Sequence, residues 1–154
     1  MKTLFCVLGR TGTGKDSIVD QVCKLTGMSK VKSFTTRPQR GANDITHVFI
    51  KPNEVEKYKK DIAAYTKIGD IEYFATVQQV IDADFYIIDP KGFYDFLSRW
   101  DLTAHPMRIV TIYITVPEGM QMFMLTGRGD DKEVSKQRIL AENEQFEKFE
   151  QLQH

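Results

Sequence analysis

Cysteine is scarce in this sequence, with only Cys6 and Cys23 among 154 residues. Two thiols so placed make neither a disulfide framework nor a metal-ligand cluster, and they are expected as buried thiols of a reducing, cytoplasmic protein. Histidine is nearly as rare. His47, His105 and His154 lie far apart in the chain and show no ligand spacing, which leaves a zinc site unsupported. Nor is there an excess of charge of either sign: Lys+Arg and Asp+Glu both number 21. Overall charge therefore predicts no nucleic-acid partner and no attraction to anionic membranes, and any anion site has to be local. No apolar run approaches the roughly 18 residues of a membrane span, and no leader-like segment opens the chain, so a soluble, untargeted protein is expected. Internal repeats and low-complexity linkers are also missing. A content of 42% hydrophobic and 27% charged residues fits one globular domain over residues 1–154.

What is present starts with Gly9-Arg10-Thr11-Gly12-Thr13-Gly14-Lys15-Asp16-Ser17. Before it, Leu4 to Leu8 form an apolar run that reads as a strand buried on both faces. After it, Ile18, Val19, Val22 and Leu25 share one face of a helix that Gly27 is placed to end. The glycines can adopt backbone angles closed to other residues, so successive N–H groups can turn inward toward phosphate oxygens. Lys15 adds a mobile cation at a helix N-terminus that itself favours anions. The spacing G-x-x-x-x-G-K, between a strand and a helix, matches a P-loop. One position departs from the motif: Asp16 stands where a Ser or Thr hydroxyl would ligate Mg²⁺. A carboxylate is also a hard oxygen ligand, so a magnesium role survives, although without the metal Asp16 would repel a triphosphate.

Strands and helices alternate along the chain, which predicts an α/β domain with a mostly parallel sheet. The expected strands are Thr3–Leu8, Val31–Phe34, Phe85–Asp89 and Arg108–Val116. Between the second and third lies a polar insertion, residues 35–84, too long to be a structureless loop and expected as a small subdomain. Within it Pro52 suits a first helical turn, with Val55, Tyr58 and Ile62 on one face and Lys57, Lys59 and Lys60 as a solvated covering. Gly119 to Leu125 reads as a short helix whose Met120, Met122 and Met124 are expected to fill core. Asp131 is placed to cap a final helix from Lys132 to about Glu150, with Val134, Ile139 and Phe146 as its main apolar positions.

A second chemical signal is Ser33-Phe34-Thr35-Thr36-Arg37-Pro38-Gln39-Arg40. Pro38 stiffens the turn, and two guanidiniums three residues apart can grip one phosphate through forked, charge-assisted hydrogen bonds. Hydroxyls of Ser33, Thr35 and Thr36 add donors. Loop arginines alone are commonly just solvated; beside a P-loop they suggest a second phosphate site.

The pattern S-x-T-T-R-x-x-R after the second strand of a P-loop protein resembles the guanylate kinase family, and the order of parts agrees with it over most of the chain. The resemblance implies a three-layer P-loop NTPase fold, with residues 1–34 and 85–154 as core, a lid at about 118–137 and residues 35–84 as acceptor-binding insertion. It implies that Gly9 to Ser17 bind ATP and that Ser33, Arg37 and Arg40 bind an acceptor monophosphate. His47-Val48-Phe49 resembles the family's Y-x-F segment, with His47 replacing a phosphate-touching tyrosine. Tyr73-Phe74-Ala75-Thr76 resembles its Y-Y-G-T, which implies that Tyr73 and Thr76 belong to the acceptor site. Ile88-Asp89-Pro90-Lys91-Gly92 resembles its I-D-x-x-G, which gives Asp89 a part in the nucleotide site and, with Asp16, in holding Mg²⁺. Gly127-Arg128-Gly129 followed by Arg138 resembles the lid, whose arginines close over the transferring phosphate beside Lys15.

Departures bear on the substrate. Ala63 falls where the family has the glutamate that reads guanine, Met124 where it has another lid arginine, and the sequence ends before a further strand and helix that the family carries near the adenine pocket. The G-K-D-S run is also similar to ribose 1,5-bisphosphate phosphokinases, and an aspartate after the P-loop lysine occurs in phage deoxynucleoside monophosphate kinases. The expectation is thus an ATP- and Mg²⁺-dependent kinase of a small nucleoside or deoxynucleoside monophosphate. A sugar-phosphate acceptor and a non-catalytic binding module stay open beside it.

Overall fold

The computed structural model describes residues 1–117 and 119–152. Glu118, where the expected lid begins, and His154 lie outside the described residues. At the centre runs β1 (Lys2–Leu8), flanked in parallel by β6 (Phe85–Ile87) and β7 (Met107–Tyr113) in the order β6-β1-β7. Side chains alternate across a strand, so β1 feeds two cores. Leu4, Cys6 and Leu8 join Tyr86, Phe93, Phe96 and Phe149, while Val7, with Phe5, meets Phe85 and Val19 of α1 (Lys15–Thr26). Phe93 and Phe96 belong to α3 (Pro90–Arg99) and Phe149 to α5 (Lys132–Leu152), so the sheet is the middle of three layers. Burial on both faces is what the unbroken apolar run at 4–8 requires.

A second, mixed sheet has the order β3-β2-β5-β4, built from β2 (Phe34–Thr35), β3 (Val48–Phe49), β4 (Ile62–Ile68) and β5 (Ile71–Thr76). β4 and β5 form an antiparallel hairpin whose turn begins at Gly69, with φ of 60°. Such a tight turn favours glycine because few other residues accept that conformation. The insertion thus has a sheet of its own.

Several expected elements shift, each for a local reason. The strand expected at Val31–Phe34 divides: Val31 N–H donates to the Phe85 carbonyl at 2.8 Å on the edge of the parallel sheet, and Phe34–Thr35 crosses to the second sheet. The segment Pro52–Asp61 is a 3₁₀ helix, whose three-residue period aligns Val55 with Tyr58 but leaves Ile62 to start β4. Tyr58 packs there against Phe34 at a tilt, with ring centroids 4.5 Å apart. The third expected strand stops at Ile87, because Asp89 caps α3 and Pro90 takes its first turn. β7 stops at Tyr113, opposite the last residue of β1, rather than at Val116.

Of the face expected on α1, only Val19 is buried; Ile18 and Leu25 are exposed, since the helix covers a sheet only three strands wide. Met120 of α4 (Met120–Gly127) is exposed and only Leu125 of that helix is buried, so its methionines are not core filling. Val134 is likewise exposed, and Ser135, Phe146 and Phe149 are the buried residues of α5. Cys6 is buried, which pushes its thiol up to about 12, whereas Cys23 is half-buried. Among the described residues no helix is long and apolar enough to cross a membrane.

Candidate functional site

β1 hands the chain to the glycine-rich loop, which is pressed between two neighbours. A Cβ on Gly9 would lie 2.9 Å from the Ile114 carbonyl oxygen, and one on Gly12 would lie 2.7 Å from Leu125 Cγ of α4. Gly12 and Gly14 have φ of 81° and 82°, and Gly14 passes directly into α1 as its cap. Glycine is therefore required twice over at Gly12, by space and by backbone conformation. Met124 of α4 packs here, with Cε 3.3 Å from where a Gly14 Cβ would sit.

The loop opens on a small groove of about 80 Å³. Its walls are Thr11, Gly12, Gly14, Lys15, Asp16 and Ser17, with Arg128 and Arg138 added from beyond α4. Asp130 holds both arginines: it accepts from Arg128 Nε at 3.2 Å, and its Oδ2 lies 3.6 Å from Arg138 Nη1. Burial lowers the pKa of Lys15, an effect opposed by Asp16 and Glu142 and reinforced by Arg138 and Arg128.

Beside the groove lies a larger cavity of about 320 Å³. Ser33, His47 and Tyr73 line it together with Ala64 to Thr66 of β4, Tyr86, Asp89 and Glu142. Lys15 and Arg138 line both spaces. Asp89 Oδ1 accepts the Gly92 N–H at 2.7 Å as the cap of α3, and burial raises the pKa of its carboxyl against that bond. Gly92 is itself needed, because a Cβ there would meet Thr66 Oγ1 at 2.9 Å. Tyr65 donates to Glu72 Oε1 at 2.7 Å, and burial with that carboxylate pushes its phenol up to about 12. Ala63 is not part of the wall; its neighbour Ala64 is, and neither carries a hydrogen-bonding side chain.

Arg37 and Arg40 line neither space but adjoin the larger one through His47. Arg37 Nη1 donates to Asp44 Oδ2 at 2.9 Å, with its guanidinium 5.2 Å from the Phe49 ring centroid. The Arg40 N–H donates to the same oxygen at 3.1 Å. These bonds hold the Asp44 carboxyl well below the usual carboxylate range. Thr46 Oγ1 bridges Asp44 Oδ1 and His47 Nδ1, 2.8 Å from each. Burial and then Arg37 lower the pKa of His47.

The residues expected at the site fall into two neighbouring groups. Lys15, Asp16, Ser17, Arg128 and Arg138 share one groove, and Ser33, His47, Tyr73 and Asp89 share the adjoining cavity. Other expectations need correction. Arg10 turns away from the groove to Asn143 and Glu150 of α5. Thr13 turns back on the loop, donating to the Arg10 carbonyl at 2.8 Å. Thr76 is the cap of α2 (Val77–Asp82), accepting the Gln79 N–H, and does not line the cavity. Asp16 and Asp89, paired as magnesium ligands on sequence grounds, line different spaces.

Motif spacing singles out neither Asp44 nor Asp130, and Glu142 was also missed. Glu142 accepts from the Thr11 N–H at 2.7 Å and from its hydroxyl at 2.9 Å. Its place four residues after Arg138 puts both on one helix face, which is the signal that could have found it. Among the described residues no three His, Cys, Asp or Glu side chains gather to hold a metal. Magnesium asks for less, one or two carboxylates completed by phosphate oxygens and water, and Asp16 fits that chemistry.

No protein-family model matches the chain, and no curated protein sequence is similar to it. Among solved structures, the guanylate kinase of Anaplasma phagocytophilum resembles it with a TM-score of 0.55 at 15% identity, over 92% of this chain and 85% of that one. At that identity the likeness establishes the fold: the chain has the P-loop α/β architecture seen in a guanylate kinase.

Proposed function

We propose that this protein is a cytoplasmic ATP-dependent phosphotransferase acting on a small phosphorylated acceptor, a nucleoside or deoxynucleoside monophosphate. One observation carries the reading: Lys15 and Arg138 line both the glycine-loop groove and the adjoining cavity. A phosphoryl group moving from one space to the other would stay in reach of both cations. The loop N–H groups and Lys15 hold the donor's β and γ phosphates, and Asp16 is the residue that would hold Mg²⁺. When bound, the metal neutralises charge on the donor phosphates. Ser33, Arg37, Arg40 and His47 hold the acceptor phosphate, with Tyr73 and Asp89 shaping the rest of its cavity. Arg128 and Arg138 balance charge on the moving group as the lid closes.

The attacking atom is a phosphate oxygen that is already ionised near neutral pH, so no strong general base is needed. Catalysis then consists of bringing two polyanions into line and neutralising the charge that moves between them. A sugar-phosphate acceptor such as ribose 1,5-bisphosphate is the second reading, favoured by Ala64 in the cavity wall and the absence of Ala63 from it. The test is ADP formation with Mg²⁺ across ribo- and deoxyribonucleoside monophosphates and ribose 1,5-bisphosphate. Acceptor-dependent ADP supports the kinase and identifies its substrate. Silence across the panel, with ATP bound, overturns it in favour of a binding module.

A further inference from the structure

We infer that Asp44 is the positioning residue of the acceptor-phosphate clamp, a single carboxylate that sets Arg37, the Arg40 backbone and His47 in place together. The inference rests on the proposed reading of those three residues as the acceptor's phosphate ligands. Its basis is how the two oxygens are divided. Oδ2 accepts from Arg37 Nη1 at 2.9 Å and from the Arg40 N–H at 3.1 Å, while Oδ1 accepts from the Thr46 hydroxyl at 2.8 Å.

The Thr46 contact carries further. An ionised carboxylate has no proton to give, so the single hydroxyl hydrogen of Thr46 points to Asp44. His47 Nδ1, 2.8 Å from the same hydroxyl oxygen, must then be the protonated ring nitrogen. The chain Asp44–Thr46–His47 thereby fixes the tautomer and commits Nδ1 to the loop. Nε2 is left for the cavity that His47 lines, where it can donate to a phosphate oxygen only when the ring carries both protons as an imidazolium.

Arg37 is held in the same manner. Its Nη1 is shared between Asp44 and the Pro38 carbonyl at 3.2 Å, and Phe49 lies against the guanidinium. Nη1 makes both of these bonds, and among the described residues Nε and Nη2 have no hydrogen-bond partner, which leaves them for the proposed acceptor phosphate. Arg37 and Asp44 side chains are 10% and 11% exposed, so the arginine has little room for other rotamers. A guanidinium fixed before the ligand arrives loses less freedom on binding, which is the advantage of a preorganised phosphate site.

The experiment is steady-state kinetics with nucleoside monophosphate and ATP varied separately, on wild type, Asp44→Ala, Asp44→Asn, Arg37→Ala and the Arg37→Ala/Asp44→Ala double variant. Asp44→Ala is expected to raise the acceptor KM about tenfold or more, the range for a lost hydrogen bond to a charged group, and to leave the ATP KM within about twofold. Asp44→Asn keeps an oxygen for one partner and is expected to fall between; it also carries the test if the alanine variant fails to fold. In the Arg37→Ala background the Asp44→Ala effect is expected to shrink, because most of it passes through Arg37. An unchanged or lowered acceptor KM, an equal rise in both KM values, or full additivity overturns the positioning role. A wild type that neither phosphorylates nor binds any monophosphate overturns the proposed function, and this inference with it.

Discussion

Two aspartates in this protein each gather a pair of arginines, and the pairs differ in setting. Asp44 and Arg37 are 11% and 10% exposed and share a loop stiffened by Pro38. After α4, Asp130 is 27% exposed while Arg128 and Arg138 are 58% and 46% exposed. An ion pair withdrawn from water keeps its geometry, whereas an exposed one is screened and exchanges its partners at little cost. The contrast suits the two tasks proposed for these pairs. A clamp that recognises an acceptor gains from being built beforehand, and a lid that must swing onto a transferring phosphate gains from cations lightly tethered until then.

The strongest way to break this contrast is at Lys15, which lines both spaces. Lys15→Ala is expected to lower kcat by at least about 10³-fold with little change in thermal melting, as measured by ADP release and a melting scan. Next, Arg138→Ala and Arg37→Ala should separate. The lid variant is expected to lose roughly 10³-fold in kcat, by analogy with arginine fingers, with a modest change in acceptor KM. The clamp variant is expected to raise acceptor KM by about ten- to hundredfold while ATP KM holds. Equal effects on kcat and on both KM values would erase the distinction between clamp and lid.

A smaller effect is expected at Asp16. There Ser should retain roughly tenfold more activity than Ala, because its hydroxyl can still offer a metal an oxygen. The smallest belongs to Asp130→Ala, within about threefold in kcat and shrinking further as salt is raised, since the tether it removes is exposed.

These residues also mark how far the sequence could be read. The glycine loop, β1 and the span of α5 were legible because their signals are local: a motif between an apolar run and a helix, and a periodic pattern behind a capping residue. The second sheet was not. Residues 52–61 follow a three-residue period that passes for an α-helical one over so few turns, and the alternating pattern of β4 is blurred by the bulge at Ala63. Likewise Lys15, Asp16, Arg128 and Arg138 converge as their motifs imply, because backbone order brings them together. The carboxylates that hold the cations were hidden. Glu142 meets Thr11 across 131 residues of sequence, and whether a given aspartate caps, tethers or ligates depends on partners that only folding supplies.

The decisive measurement is ³¹P NMR of the wild-type protein with ATP, Mg²⁺ and the monophosphate that drives ADP formation. ADP and the phosphorylated acceptor appearing in equal amounts, with none of either from Lys15→Ala, is the result expected of one phosphoryl group passing between the two spaces that Lys15 and Arg138 share. ADP accompanied by inorganic phosphate instead, or transfer that survives Lys15→Ala, would contradict it.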